Sequence, residues 1–332
     1  MNKLRTGGFG YLIIFMWLTL GFGCRQDDAL SLVVIPDTQS VFETNPEIFK
    51  KQMEWVAQNR DSFDFVIHVG DITQDNSREE WILAKEFFQK LEGNVPFTFS
   101  LGNHDMGSLP GKFADTRNTE LANEFFRVEE LERHCKLSGS FPEGMVDNLY
   151  HTFKQGKRNW LVISLEFGPR DKVLDWANQV VANHPGHQVI INTHAYLYED
   201  DSRMGEGDFW RPQAYGVGKD TGTEQVNDGE QVWDKFIKQH ENIIMVFSGH
   251  VLKSGVSTVV SEGINGNKVY QMLANYQRGV EDRGKGDNGY LRLIKIYPKA
   301  NRFEVKTYSP WFDRFLTDPE HDFVFENVTF IN

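Results

Sequence analysis

The feature that most constrains this chain is a repeated design: an apolar run that ends on a polar residue able to hold a metal ion. The stretch SLVVIPDTQ reads as a buried strand that stops at Pro36 and delivers Asp37 and Gln39 just beyond its C-terminal end. FDFVIHVGD ends on Asp71, VPFTFSLGNHD on Asn103, His104 and Asp105, VIINTH on His194, and IIMVFSGH on His250. In open α/β sheets ligands bind outside the carboxyl ends of the strands. Five strand ends carrying Asp, Asp, Asn, His and His therefore predict one site at one sheet edge.

Between these runs the pattern is helical. PEIFKKQMEWVAQNR places Pro46 at a first helical position, with Ile48, Phe49, Met53 and Val56 at helical spacing, and Arg78–Leu91 repeats the pattern. Strand, helix, strand, helix, strand is the signature of βαβ units. Two long stretches depart from it. Residues 106–146 contain one further helix, ANEFFRVEELERH, between loops, and residues 195–227 are Gly-rich with Tyr and Trp side chains; both are candidate walls of a substrate cleft. Beyond them, helices are expected at 171–183 and 229–240. KVYQMLANYQ, GYLRLIKIY and RFEVKTYS read as antiparallel strands joined by turns.

The 332 residues, 40% hydrophobic, are enough for one large core. No Pro/Ser/Gly-rich linker divides the ligand-bearing runs, so residues 24–332 are expected to form one domain. Residues 1–23 carry Lys3 and Arg5, an apolar stretch from Tyr11 to Leu20 and small residues before Cys24. Ten or so apolar residues are too few to span a bilayer of about 30 Å, so this is read as a signal peptide. LGFGC resembles a bacterial lipoprotein signal with Cys24 as the lipidated residue, although Gly21 stands where such signals usually have Leu. Exported, periplasmic or outer-membrane-anchored protein is the expectation, touching a membrane only through that lipid. Losing residues 1–23 takes the formal charge from −12 to −14, which argues against nucleic acid as a partner. With Cys24 lipidated, Cys135 is a lone thiol and no disulfide supports the fold.

Singly, each polar strand end has a blander reading as a helix cap, turn residue or structural histidine. Together, D-x-Q, G-D, G-N-H-D, T-H and G-H, each after a β run, with SLEFGPRD, THAYLY, SGHVL and LANYQ, resemble the calcineurin-like metallophosphoesterase superfamily over nearly the whole mature chain. The resemblance implies a four-layer αββα sandwich of two mixed sheets flanked by helices, binding two divalent ions. It makes Asp71 the carboxylate shared by both metals and completes one site with Asn103, His194 and His250. That N/O set suits Mn, Fe, Zn or Ni. In the other site the superfamily usually has His where Gln39 stands and a second His where Leu252 stands. The remaining Asp37, Gln39 and Asp71 are oxygen donors that favour Mn, Mg or Ca, so one metal or two is left open.

By the same resemblance His104 is a general acid and Asp105 the carboxylate that orients it. The implied reaction is hydrolysis of a small phosphorylated substrate, monoester or diester. Arg170 carries a planar fork that matches phosphate oxygens; an ion pair with Asp171 or a neighbouring carboxylate is the competing reading. Tyr196, Tyr198, Trp210 and Tyr276 are either stacking surfaces or core anchors. The alternative function is a metal-retaining binding protein of the same fold without turnover, favoured by Gln39 and Leu252.

Overall fold

The computed structural model describes residues 28–252, 254–277 and 289–331; the leader and Cys24 lie outside them. Two seven-stranded mixed sheets lie at its centre. The first contains β1 (Leu30–Ile35), β2 (Phe65–His68) and β3 (Phe97–Phe99) in parallel. β11 (Leu291–Tyr297), β12 (Arg302–Ser309), β13 (Arg314–Leu316) and β14 (Asp322–Phe325) are added antiparallel on the far side of β1. The second runs β4 (Leu137–Ser140), β5 (Leu149–Gln155), β6 (Arg158–Leu165), β7 (His187–Thr193), β8 (Ile243–Ser248), β10 (Lys268–Ala274), β9 (Val256–Glu262), with β6, β7, β8 and β10 parallel.

The strands are apolar on both faces because both faces are covered. On β1, Leu30, Leu32 and Val34 join Trp160, Val162, Ile190 and Phe247 in the core between the sheets. Val33 and Ile35 point the other way, into a core with Phe49, Met53, Trp81 and Phe88 from α2 (Glu47–Gln58) and α3 (Arg78–Phe88). Helices α6 (Asp171–Ala182) and α7 (Gly229–Lys235) contribute Val173, Leu174 and Val232 on the second sheet. Burial on both faces makes the four-layer sandwich. Among the described residues no helix is long and apolar enough to cross a membrane.

A short helix, α1 (Gln39–Thr44), follows the β1 end and is opened by Gln39. The structure departs from three expectations. ANEFFRVEELERH is two helices, α4 (Glu120–Phe125) and α5 (Val128–Cys135), because Phe126 turns under Trp81, Phe88 and Phe99 and the chain extends at Arg127. The helix from Gly229 ends at Lys235, and a 3-10 turn, Ile237–Gln239, completes it. KVYQMLA does not pair with the C-terminal strands; as β10 it lies in the second sheet beside β8.

Two buried histidines make the fold acid-sensitive. His151 Nδ1 donates to the Cys135 carbonyl at 2.9 Å, and burial pushes its pKa down to about 4; burial and Arg292 do the same for His321. The unfolded chain, with histidines near 6.5, binds more protons between those values. Stability is therefore expected to fall as pH drops from about 6.5 to about 4, by on the order of 2–3 kcal/mol for His151 alone. Urea titrations at pH 7 and 4.5 check it: His151→Gln should flatten the dependence, and an unchanged slope would contradict the assignment.

Candidate metal centre

The loops after β1, β2, β3, β7 and β8 meet at one end of the sandwich. Asp71, His194 and His250, all buried, bring one ligand atom each to within 4.8 Å of one another. His194 Nε2 lies 3.0 Å from Asp71 Oδ2 and 3.2 Å from His250 Nδ1. The outer nitrogens have carbonyl partners: His194 Nδ1 contacts Val69 O at 3.0 Å, and His250 Nε2 contacts Trp210 O at 2.8 Å. A carbonyl can only accept, so both of those nitrogens carry hydrogen, and the ring atoms turned inward are His194 Nε2, toward Asp71 Oδ2, and His250 Nδ1, toward His194 Nε2.

The backbone is bent to achieve this. Asp71 and His250 both adopt left-handed conformations, with φ of 50° and 74°, a strain that persists only where the surroundings enforce it. Glycines let the loops close in: a Cβ on Gly102 would sit 2.0 Å from Asp71 Oδ1, and one on Gly249 would sit 1.9 Å from Asp37 Oδ1.

Around this cluster stand bare oxygens. Asp37 Oδ2 accepts from the His250 amide at 2.9 Å, Asn275 Nδ2 at 2.8 Å and Gln277 Nε2 at 3.2 Å, while its Oδ1 has no partner. Gln39 donates through Nε2 to Asp71 Oδ2 at 2.9 Å, leaving its Oε1 bare, and Asn103 Oδ1 is also unpartnered. Buried polar atoms are normally hydrogen-bonded. Three orphaned oxygens stand beside the inward nitrogens of two histidines, a surface rich in acceptors that suits a cation. The residues present thus fit divalent metal.

The electrostatics agree. Burial pushes the Asp37 carboxyl up to about 8, with the Asp71 charge adding to it. Burial opposes a charge on His194, yet Asp71 and Asp37 outweigh it and lift it to about 9, so Nε2 holds a proton against Asp71 Oδ2 that a bound cation would replace. Burial would raise Asp71 as well, but His194 and His104 prevail and hold it below the ordinary carboxylate range. Positive charge is favoured at the point where these ligands meet.

His104 lies beside the cluster, its amide donating to Asp71 Oδ1 at 2.9 Å. Its Nδ1 bonds the Gln74 carbonyl at 2.6 Å and its ring stacks on Phe113, centroids 3.9 Å apart. Asp105 does not meet that imidazole. Its carboxylate takes the amides of Ile72, Thr73 and Gly102 and the Thr73 hydroxyl, at 2.9–3.0 Å, and so ties the loop after β3 to the loop after β2. His68, at the end of β2, spans Thr38 and the Gly70 amide behind the two aspartate loops.

Arg170 is not brought to the cluster with a free guanidinium. Its Nε and Nη2 bind the buried Glu166 at 2.7 and 2.8 Å, and its Nη1 binds Glu224 at 2.8 Å. Tyr196 and Tyr276 are core anchors, bonded to Gln271 and Thr307, and Tyr198 is buried as well. Leu252, where a second histidine would stand, is half-buried and offers no ligand atom.

Sequence reasoning missed several participants. Asn275 and Gln277 lay within the LANYQ stretch, but nothing showed that both aim at Asp37. The carbonyls of Val69, Gln74 and Trp210 carry no residue-type signal at all. Phe167, whose ring lies 6.0 Å from His194 and 5.4 Å from His250, read only as the end of a strand.

The profile of calcineurin-like phosphoesterases matches residues 30–254. The Bacillus subtilis (strain 168) protein YvnB, described as uncharacterized, is 27% identical over 292 residues; the match covers 86% of this chain, which spans only 20% of that relative's length. Among solved structures, purple acid phosphatase PPD1 from yellow lupin (Lupinus luteus) seeds superposes with a TM-score of 0.52 at 12% identity, over 91% of this chain and 54% of that one, a likeness of fold. The 5'-nucleotidase precursor from Thermus thermophilus also matches, at a TM-score of 0.42 and 12% identity, over 90% of this chain and 55% of that one.

Proposed function

The chain belongs to the calcineurin-like phosphoesterase family, and on that premise we propose that it is a metal-dependent hydrolase of small phosphate esters, mono- or diesters. The observation that carries the reading is the convergence of Asp71, His194 and His250 with the bare oxygens of Asp37, Gln39 and Asn103. In this reading Asp71, Asn103, His194 and His250 hold one ion, suited to Mn, Fe, Zn or Ni. Asp37 and Gln39 hold a second with Asp71, and the oxygen-only set favours Mn, Mg or Ca.

Divalent metal bound there lowers the pKa of water from about 15.7 to about 7 and draws charge from a phosphoryl oxygen. The remaining work belongs to the side chains. His104 bonds the Gln74 carbonyl through Nδ1, so it would act as general acid in its imidazolium form, giving the Nε2 proton to the leaving oxygen as the P–O bond breaks and ending as the neutral Nδ1–H ring. Asp105 acts through the backbone, fixing the loops that carry Asp71 and His104. A binder without turnover has no need of an imidazole clamped on two sides, which favours catalysis over the binding-only alternative.

The test is hydrolysis of aryl phosphate mono- and diesters by the purified mature chain. Turnover with added Mn²⁺, abolished by chelator and restored by metal, is expected; no hydrolysis of either ester under any divalent ion would overturn the reading.

We also propose that the protein is exported and held to the cell envelope by a lipid on Cys24. The composition of residues 1–24 supports this, and the described chain enters β1 at the strand end opposite the site, so a tether there would leave the cleft facing away from the bilayer. Cys24→Ser should shift the protein from the membrane fraction to the soluble one; an unchanged distribution would contradict lipidation.

A further inference from the structure

The residue expected to meet a substrate phosphate is occupied elsewhere. Arg170 is shared between Glu166 and Glu224, and Arg117, the other arginine at Glu166, spends its Nη atoms on the carbonyls of Phe167 and Gly168. A phosphoryl group over the cluster would still carry oxygens that need donors other than the metal ligands, and residues 195–227 reach the cluster through the Trp210 carbonyl on His250 Nε2.

Tyr215 belongs to that segment. Its ring stands edge-on to Phe167, centroids 5.1 Å apart, and 6.2 Å from His250. Its amide is tied to the Pro212 carbonyl at 3.2 Å, and the next turn is fastened to the other long loop by the bond from Val217 N to Ala114 O at 3.1 Å. The phenol is thus built into a fixed wall. Among the described residues its hydroxyl has no hydrogen-bond partner, unlike Tyr196 and Tyr276, whose hydroxyls are bonded within the core. An ordinary phenol keeps its proton at neutral pH, so this hydroxyl is a donor. A neutral donor with a free proton, half-buried, thus stands beside His250 and Phe167 at the edge of the cluster.

We propose that Tyr215 is a catalytic residue, its phenolic O–H donating a hydrogen bond to a phosphoryl oxygen of the substrate at the Asp71, His194 and His250 cluster. The inference rests on the phosphoesterase reading above. It assigns to a neutral phenol the contact that the sequence offered to Arg170. Fixed donors aimed at developing charge act at full strength because they do not reorganise during the reaction. No proton is transferred in this contact: the hydroxyl gains an acceptor and keeps its hydrogen.

Tyr215→Phe removes the hydroxyl and keeps the ring against Phe167. With Mn²⁺-loaded protein, inorganic phosphate should bind about tenfold more weakly by calorimetry, equivalent to one hydrogen bond, and kcat/KM for an aryl phosphodiester should fall about a hundredfold. Metal content should be unchanged. A variant within twofold of wild type in both readouts would overturn the proposal. So would a loss of activity that tracks loss of metal, since the tyrosine would then be supporting ligands rather than touching substrate. Wild-type protein that binds no phosphate and hydrolyses no ester would overturn the phosphoesterase reading along with this one, whereas an active wild type beside an unaffected Tyr215→Phe overturns this one alone.

Discussion

Asp71→Asn is expected to remove hydrolysis almost completely while leaving the fold in place. The amide has nearly the shape of the carboxylate but lacks its charge, and it turns one acceptor into a donor. Asp71 faces His194 Nε2 through Oδ2 and takes the His104 amide through Oδ1, so the same group serves the proposed metal site and the placement of the general acid. Losing a single preorganised catalytic contact costs about 10²–10³ in rate, and Asp71 carries more than one, so a fall of at least that size is expected in kcat/KM for aryl phosphates. Metal content measured on the same preparation should fall with it. Full turnover in Asp71→Asn would remove the proposed centre from this position.

The second large effect concerns stability. Glu166 is 1% exposed and lies between Arg170 and Arg117, at 2.7 and 3.4 Å, with Asn148 Nδ2 at 3.2 Å. Burial alone would raise its pKa, but the two guanidinium groups prevail and hold the carboxyl below the ordinary range. Glu166→Gln keeps the shape and deletes the charge that both arginines were folded around. Breaking a buried ion pair by removing one partner costs about 3–5 kcal/mol, because the other charge stays desolvated and uncompensated. Denaturant unfolding at neutral pH should show a loss of that order, and a loss under about 1 kcal/mol would show that the arginines are solvated in place. Activity should fall as well, because Arg117 grips the backbone of Phe167 and that ring packs against both histidines.

The sequence carried much of this arrangement, for a physical reason. A parallel strand buried on both faces reads as an unbroken apolar run, and its ligand comes immediately after. Asp37, Asp71, Asn103, His194 and His250 were therefore readable one strand at a time, and their meeting followed from sheet geometry. Arg170 was only half readable. Glu166 sits four residues before it in LEFGPR, but the competing acid Glu224 lies in a loop with no periodicity, and long-range pairing between loops leaves no local pattern. Asp105 was readable as a residue of GNHD but not in its contacts, because three of its four donors are backbone or side-chain groups of residues 72 and 73. Gln74, Val69 and Trp210 act through carbonyls, which every residue has. The single helix expected at ANEFFRVEELERH failed because local helical spacing cannot register that Phe126 is required beneath Trp81 and Phe88.

The most direct test of a metal-dependent hydrolase is elemental analysis of residues 25–332, purified without chelator, alongside aryl phosphate hydrolysis on the same sample. At least one equivalent of divalent metal per chain is expected, with metal and turnover lost together under chelator and restored together on reloading. A folded chain that takes up no divalent ion when reloaded, or one whose hydrolysis persists after all metal has been stripped, would contradict it.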